Sequence, residues 1–121
     1  MADAKRLRVL VVEDEALVAM LIEDMLTELG HEVLGPAMRL ESALKMARDE
    51  TFDLALLDVN LANEQSFPVA RLLQERGIPF VFATGYGLRG LEDRFQEIMT
   101  LQKPFESDQL ADAISFVLAC E

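Results

Sequence analysis

The sequence predicts an α/β fold: strand and helix alternate as (βα)5, with a five-stranded parallel sheet doubly wound by helices on both faces. Three observations predict it. Short aliphatic and β-branched runs alternate with amphipathic stretches along the whole chain. The central runs Leu54-Ala55-Leu56-Leu57 and Pro79-Phe80-Val81-Phe82-Ala83 are continuously apolar rather than alternating, as strands buried on both faces are. Polar, charged or glycine residues follow each run. Right-handed crossovers leave few topologies for such a chain, and the strand order 2-1-3-4-5 fits best.

The first strand is Leu7-Arg8-Val9-Leu10-Val11-Val12, ended by Glu13-Asp14-Glu15. In the first helix Leu17, Leu21, Met25 and Leu29 recur every four residues, flanked by Val18, Ile22 and Leu26, and this stripe is expected to face the core. Gly30 is a natural stop. Glu32-Val33-Leu34-Gly35 is a weaker second strand, expected to close at Pro36. Leu40, Ala43, Leu44 and Ala47 mark a short second helix. The third strand, Leu54 to Leu57, ends at Asp58. Ser66 is expected to cap a third helix carrying Val69, Leu72 and Leu73, which Gly77 ends. Pro79 to Ala83 is the fourth strand.

The stretch Gly85-Tyr86-Gly87-Leu88-Arg89-Gly90 leads into a fourth helix and is a poor helix former, since each interior Gly costs about 0.8–1.0 kcal/mol relative to Ala. Ile98-Met99-Thr100-Leu101 is a brief fifth strand. Ser107 is expected to cap a last helix with Leu110, Ala113, Ile114, Val117 and Leu118 on one face.

With 121 residues the chain is expected to form one domain over residues 1–121, large enough to bury a core without staples. A single cysteine, Cys120, makes no internal disulfide, so the expected compartment is the cytoplasm. The N-terminus shows no signal-peptide pattern. The apolar runs fall short of the roughly 20 residues that cross a bilayer. Asp and Glu total 22 against 11 Lys and Arg, a net charge of −11. Such a chain repels nucleic acid and anionic lipid and suits a cation or a basic partner surface. His31 stands apart after Gly30 and is assigned no role.

In a sheet of this order, ligands bind beyond the carboxyl ends of the strands, at the switch point between strands 1 and 3. Strand 1 delivers Glu13 and Asp14 there, strand 3 Asp58, strand 4 Thr84 and strand 5 Lys103. Three carboxylates in one cleft repel one another unless a cation joins them, and hard oxygen donors suit Mg2+. An Asp carboxylate accepts a phosphoryl group, whose oxygens need the positive charge and donors that Lys103 and Thr84 offer. Each residue also has a plain structural reading. The acids precede a helix, where Asp14 could serve as an N-cap. Asp58 could be a loop residue, Thr84 a turn residue and Lys103 a surface lysine. What argues for chemistry is their joint occurrence at successive strand ends.

Val11-Val12-Glu13-Asp14-Glu15, Leu56-Leu57-Asp58, Ala83-Thr84-Gly85 and Lys103-Pro104-Phe105 together resemble the signature set of response-regulator receiver domains of bacterial two-component systems. The resemblance covers essentially the whole chain and implies a flavodoxin-like sheet. It implies that Asp58 is phosphorylated with Mg2+ bound by Glu13, Asp14 and Asp58, the Asn60 backbone carbonyl completing the metal shell. Thr84, the Gly85 amide and Lys103 would hold the phosphoryl group, and the Lys103–Pro104 bond would be cis. The implied partners are a sensor histidine kinase or phosphotransfer protein and a downstream protein, with the chain a monomer or weak dimer and no contact with nucleic acid or membrane. No effector domain is expected after the last helix, and output is expected to run through a partner.

The chain departs from the usual pattern at Thr100, where such receivers commonly carry Tyr or Phe. The run Phe82-Ala83-Thr84-Gly85 resembles a receiver subgroup that dispenses with this ring, and Tyr86 offers a replacement or is simply a surface-packed loop residue. The switch is therefore expected to run through Thr84 and the segment from Gly85 to Phe95, as a change in order.

Two other classes compete. An aspartate-nucleophile phosphatase of the haloacid-dehalogenase type needs a second Asp two residues after the first, where Asn60 stands. A flavodoxin-like FMN carrier needs a Ser-, Thr- and Gly-rich loop after strand 1, where this chain is acidic.

Overall fold

From residue 8 to residue 84 strand and helix alternate as expected. The computed structural model describes residues 6–61, 64–85 and 99–119. Its elements are β1 (Arg8–Val12), α1 (Ala16–Glu28), β2 (Glu32–Ala37), α2 (Leu40–Asp49), β3 (Leu54–Asp58), β4 (Asn60–Leu61), β5 (Glu64–Gln65), α3 (Phe67–Arg76), β6 (Phe80–Thr84), β7 (Thr100–Gln102) and α4 (Ser107–Ala119). The main sheet has the order β2-β1-β3-β6-β7, and every pairing in it is parallel. This is the predicted 2-1-3-4-5 arrangement. The predicted fourth helix and Tyr86 lie outside the described residues, as does Cys120.

Side chains alternate across a strand, so β1, β2, β3 and β6 each feed two cores. Leu10, Val12, Ala55, Leu57, Phe80 and Phe82 pack with α2 and α3 through Ala43, Ala47, Val69 and Leu73. Phe82 meets Phe67 and Phe80 edge to face. Val9, Val11, Leu54, Leu56, Val81 and Leu101 pack on the other side with Ile22 and Leu26 of α1 and with Leu110 and Ile114 of α4. Continuous burial of β3 and β6 is what their unbroken apolar sequences require. Gly77 ends α3 in the left-handed conformation (φ 70°), and the Ile78 amide closes the last turn on the Leu73 carbonyl. Among the described residues no helix is long and apolar enough to cross a membrane.

Several local expectations are corrected. In α1 the buried residues are Ala19, Ile22 and Leu26, while Leu17 and Leu21 are 70% and 52% exposed. Apolar residues run unbroken from Ala16 to Ile22, so periodicity alone marks no single face. Leu118 of α4 is likewise exposed. β2 does not close at Pro36 but continues to Ala37. It is an edge strand, the position in a sheet where proline is tolerated. Both Gly35–Pro36 and Lys103–Pro104 are cis.

Ser66 precedes α3 but makes no side-chain cap bond. Ser107 is the first residue of α4 rather than its cap. The Leu110 amide bonds to the Glu106 carbonyl, and Gln109 Oε1 accepts from the Glu106 amide, half of a capping box with Glu106 as the cap. The antiparallel ribbon β4–β5 carries no sequence signal that predicted it.

Candidate functional site

The carboxyl edge of the sheet gathers the predicted side chains. Glu13 is the first residue past β1, where its amide donates to the Ala37 carbonyl of β2 at 3.0 Å. Its side chain is only 1% exposed, and Asp58, the last residue of β3, is 6% exposed. Thr84, the last residue of β6, is buried. Lys103 follows β7, and its amide donates to the Thr84 carbonyl at 2.9 Å, which ties the ends of strands β6 and β7 together.

The ammonium of Lys103 bridges two acids. Nζ lies 2.8 Å from Glu13 Oε1 and 3.2 Å from Asp58 Oδ2. The remaining oxygens are held by backbone donors: Glu13 Oε2 accepts from the Glu15 amide at 3.2 Å, and Asp58 Oδ1 from the Asn60 amide at 3.3 Å. Asp14 is half-buried beside them. It does not cap α1, whose N-cap position is Glu15. Glu13, Asp14 and Asp58 each present a carboxylate oxygen, and these three oxygens lie within 4.8 Å of one another.

Burial and the neighbouring Glu13 charge push the Asp58 carboxyl up to about 7, against the opposing pull of Lys103. Burial alone would lower the Lys103 ammonium. Its hydrogen bond to Glu13 and the charges of Asp58 and Glu13 outweigh that and hold it above its ordinary value. One ammonium thus serves two buried carboxylates, with a third acid beside them. A divalent cation would relieve this excess of negative charge, and the donor set of hard oxygens fits Mg2+ rather than a soft metal.

Of the remaining predicted residues, Asn60 opens the β4–β5 ribbon, with its amide on Asp58. Gly85 is exposed just after β6. Thr100 opens β7, opposite Phe82 and half-buried. The amides of Glu15 and Asn60 and the carbonyl of Ala37 were not foreseen, because backbone groups leave no residue-type signal.

Comparison with known proteins agrees with the geometry. Residues 9–115 match the response regulator receiver domain. The solution structure of SdrG from Sphingomonas melonis Fr1 is similar at 43% identity and a TM-score of 0.85, over 93% of this chain and 97% of that one. Among curated proteins, the transcriptional regulatory protein PdtaR of Mycobacterium tuberculosis H37Rv is 32% identical over 116 residues, covering 93% of this chain and 57% of PdtaR. The phyllosphere-induced regulator PhyR of Methylorubrum extorquens AM1 is 34% identical over 114 residues, 91% of this chain and 43% of PhyR. The chain therefore spans about half the length of these curated relatives.

Proposed function

The chain belongs to the response regulator receiver family, and from that premise we propose that Asp58 is its phosphoacceptor and that Glu13, Asp14 and Asp58 hold the Mg2+ that the transfer requires. A receiver is a phosphoaccepting signalling domain of two-component systems rather than a classical enzyme. The observation that carries the residue assignment is Lys103 Nζ shared between Glu13 and Asp58 at the switch point of the sheet.

In the proposed reaction an Asp58 carboxylate oxygen attacks the phosphorus of a phosphohistidine or an acyl phosphate. The bond from phosphorus to the donor breaks, its electron pair leaves with the donor, and an acyl phosphate forms on Asp58. The bound ion would supply positive charge to the phosphoryl oxygens. Lys103 stands 3.2 Å from the accepting carboxylate and would pair with the new phosphoryl group. Thr84, at the end of the neighbouring strand, would donate its hydroxyl to a phosphoryl oxygen, and the Gly85 amide would add a second donor. The backbone carbonyl of Asn60 would complete the metal shell. The same groups would support hydrolysis of the acyl phosphate by water.

The proposed donor is a sensor histidine kinase or a phosphotransfer protein in the cytoplasm, and the output is a change in binding to a downstream protein. The response would pass from Thr84 and Gly85 into the segment that follows, most of which lies outside the described residues.

Intact mass after incubation with acetyl phosphate tests this reading. The expected result is one phosphoryl group added in the presence of Mg2+ and none with a chelator. No addition under either condition, or equal addition under both, would overturn it.

A further inference from the structure

The β1–β2 register contains one extra residue on β2. Leu10 faces Leu34, but Val12 faces Ala37, so a two-residue advance on β1 is matched by three residues on β2. The packing records the same insertion. Leu34 and Ala37 are three apart, yet both pack in the core on the α2 and α3 side, which a regular strand of period two does not allow. Gly35 makes the bulge possible. Its φ is 105°, and a Cβ at this position would lie 2.9 Å from the Ala37 amide nitrogen and 3.0 Å from the Val11 carbonyl oxygen. Both contacts are with backbone, so no side chain can swing aside. Just past the bulge, the Ala37 carbonyl receives the Glu13 amide at 3.0 Å. That bond fixes the point at which β1 leaves the sheet and its next side chain enters the site.

We propose that Gly35 is a positioning residue for the acidic site: the bulge it permits seats the Ala37 carbonyl on the Glu13 amide and thereby aims the Glu13 carboxylate at Lys103 and at the cation. Bulges that re-aim a side chain are common next to functional sites. Here the aimed residue is a buried acid with little freedom of its own. The inference rests on the reading of Glu13, Asp14 and Asp58 as the Mg2+ site.

The test compares Gly35→Ala with Gly30→Ala and Gly77→Ala. All three glycines have positive φ, but at Gly30 and Gly77 a Cβ meets nothing within 4 Å. Mg2+ affinity is measured by titration calorimetry and Glu13 amide protection by hydrogen exchange. Gly35→Ala is expected to weaken Mg2+ binding roughly tenfold, as loss of an outer-shell support does, and to speed exchange at the Glu13 amide. The two controls should lose stability without either effect. In a Glu13→Gln background, Gly35→Ala should weaken Mg2+ no further, because the two act through one side chain.

If Gly35→Ala is too unstable to titrate, Gly35→Asn carries the same test, since Asn tolerates positive φ better. Wild-type Mg2+ affinity in the Gly35 variant, an unchanged Glu13 amide, or a full loss persisting in the Glu13→Gln background would each overturn the inference. Failure of the wild-type chain to bind Mg2+ would instead sink the reading of the site, and the exchange rate at the Glu13 amide would still decide whether Gly35 holds Glu13 in place.

Discussion

Asp58 is under opposing demands. Burial and the adjacent Glu13 favour its protonated form, while Lys103 favours the carboxylate, and the balance leaves its pKa at about 7 against an ordinary 3.8. The folded chain therefore binds more protons at this group than the unfolded chain does across that interval. Its contribution to stability accordingly falls as pH rises from about 4 to about 7 and is constant above. In the proposed site Mg2+ would compete with that proton, so its affinity is expected to increase with pH up to about 7 and then level off, which calorimetric titration across this range will check. Lys103 presently neutralises part of the acid cluster. Removing it leaves Glu13 and Asp58 without their ammonium, so the Lys103→Ala variant should be less stable without metal and gain more thermal stability from Mg2+ than the wild type does. An equal gain in both would show that Lys103 and the ion do not share the same charge. That these side chains gather at one sheet edge was legible in the sequence, because acid, hydroxyl and ammonium side chains stand at successive strand ends. Their backbone partners, the amides of Glu15 and Asn60, were not, since every residue carries the same main-chain groups.

At the scale of elements, strands were read more accurately than helix faces. Unbroken apolar runs in β3 and β6 have one reading in a doubly covered sheet, and the structure bears it out. The same lack of polar residues made α1 ambiguous. Between Ala16 and Ile22 any face is apolar, and only the position of the sheet selects Ala19, Ile22 and Leu26 over Leu17 and Leu21. The energetic consequence is measurable by urea unfolding. Leu26→Ala should cost about 2–5 kcal/mol as a core truncation, whereas Leu17→Gln and Leu21→Gln should change stability by less than about 0.5 kcal/mol. A large loss at Leu17 would mean that its exposed side chain is covered in solution. The bulge in β2 is not legible in the sequence, because Gly-Pro is ordinarily a punctuation signal. In an edge strand the same pair instead continues the ladder past an inserted residue.

For the whole molecule, the arrangement places negative charge in a buried part of the fold. The chain carries a net charge of −11, and two of its acids are buried together at one sheet edge. A ligand that binds only the folded state stabilises it by mass action, about 2.7 kcal/mol at a hundredfold excess over Kd. In a domain of this size that raises Tm by roughly 10 °C. Mg2+ should therefore raise the melting temperature of the wild-type chain, and Asp14→Ala should remove most of the rise. If the variant keeps it, Asp14 is not part of the cation site. The receiver assignment makes a further demand on the whole molecule, that all incoming phosphate reach a single carboxylate. The direct measurement is intact mass of the wild-type chain and Asp58→Asn after acetyl phosphate with Mg2+. One phosphoryl group on the wild type and none on the variant is the predicted result, and equal labelling of the two would contradict the assignment of Asp58.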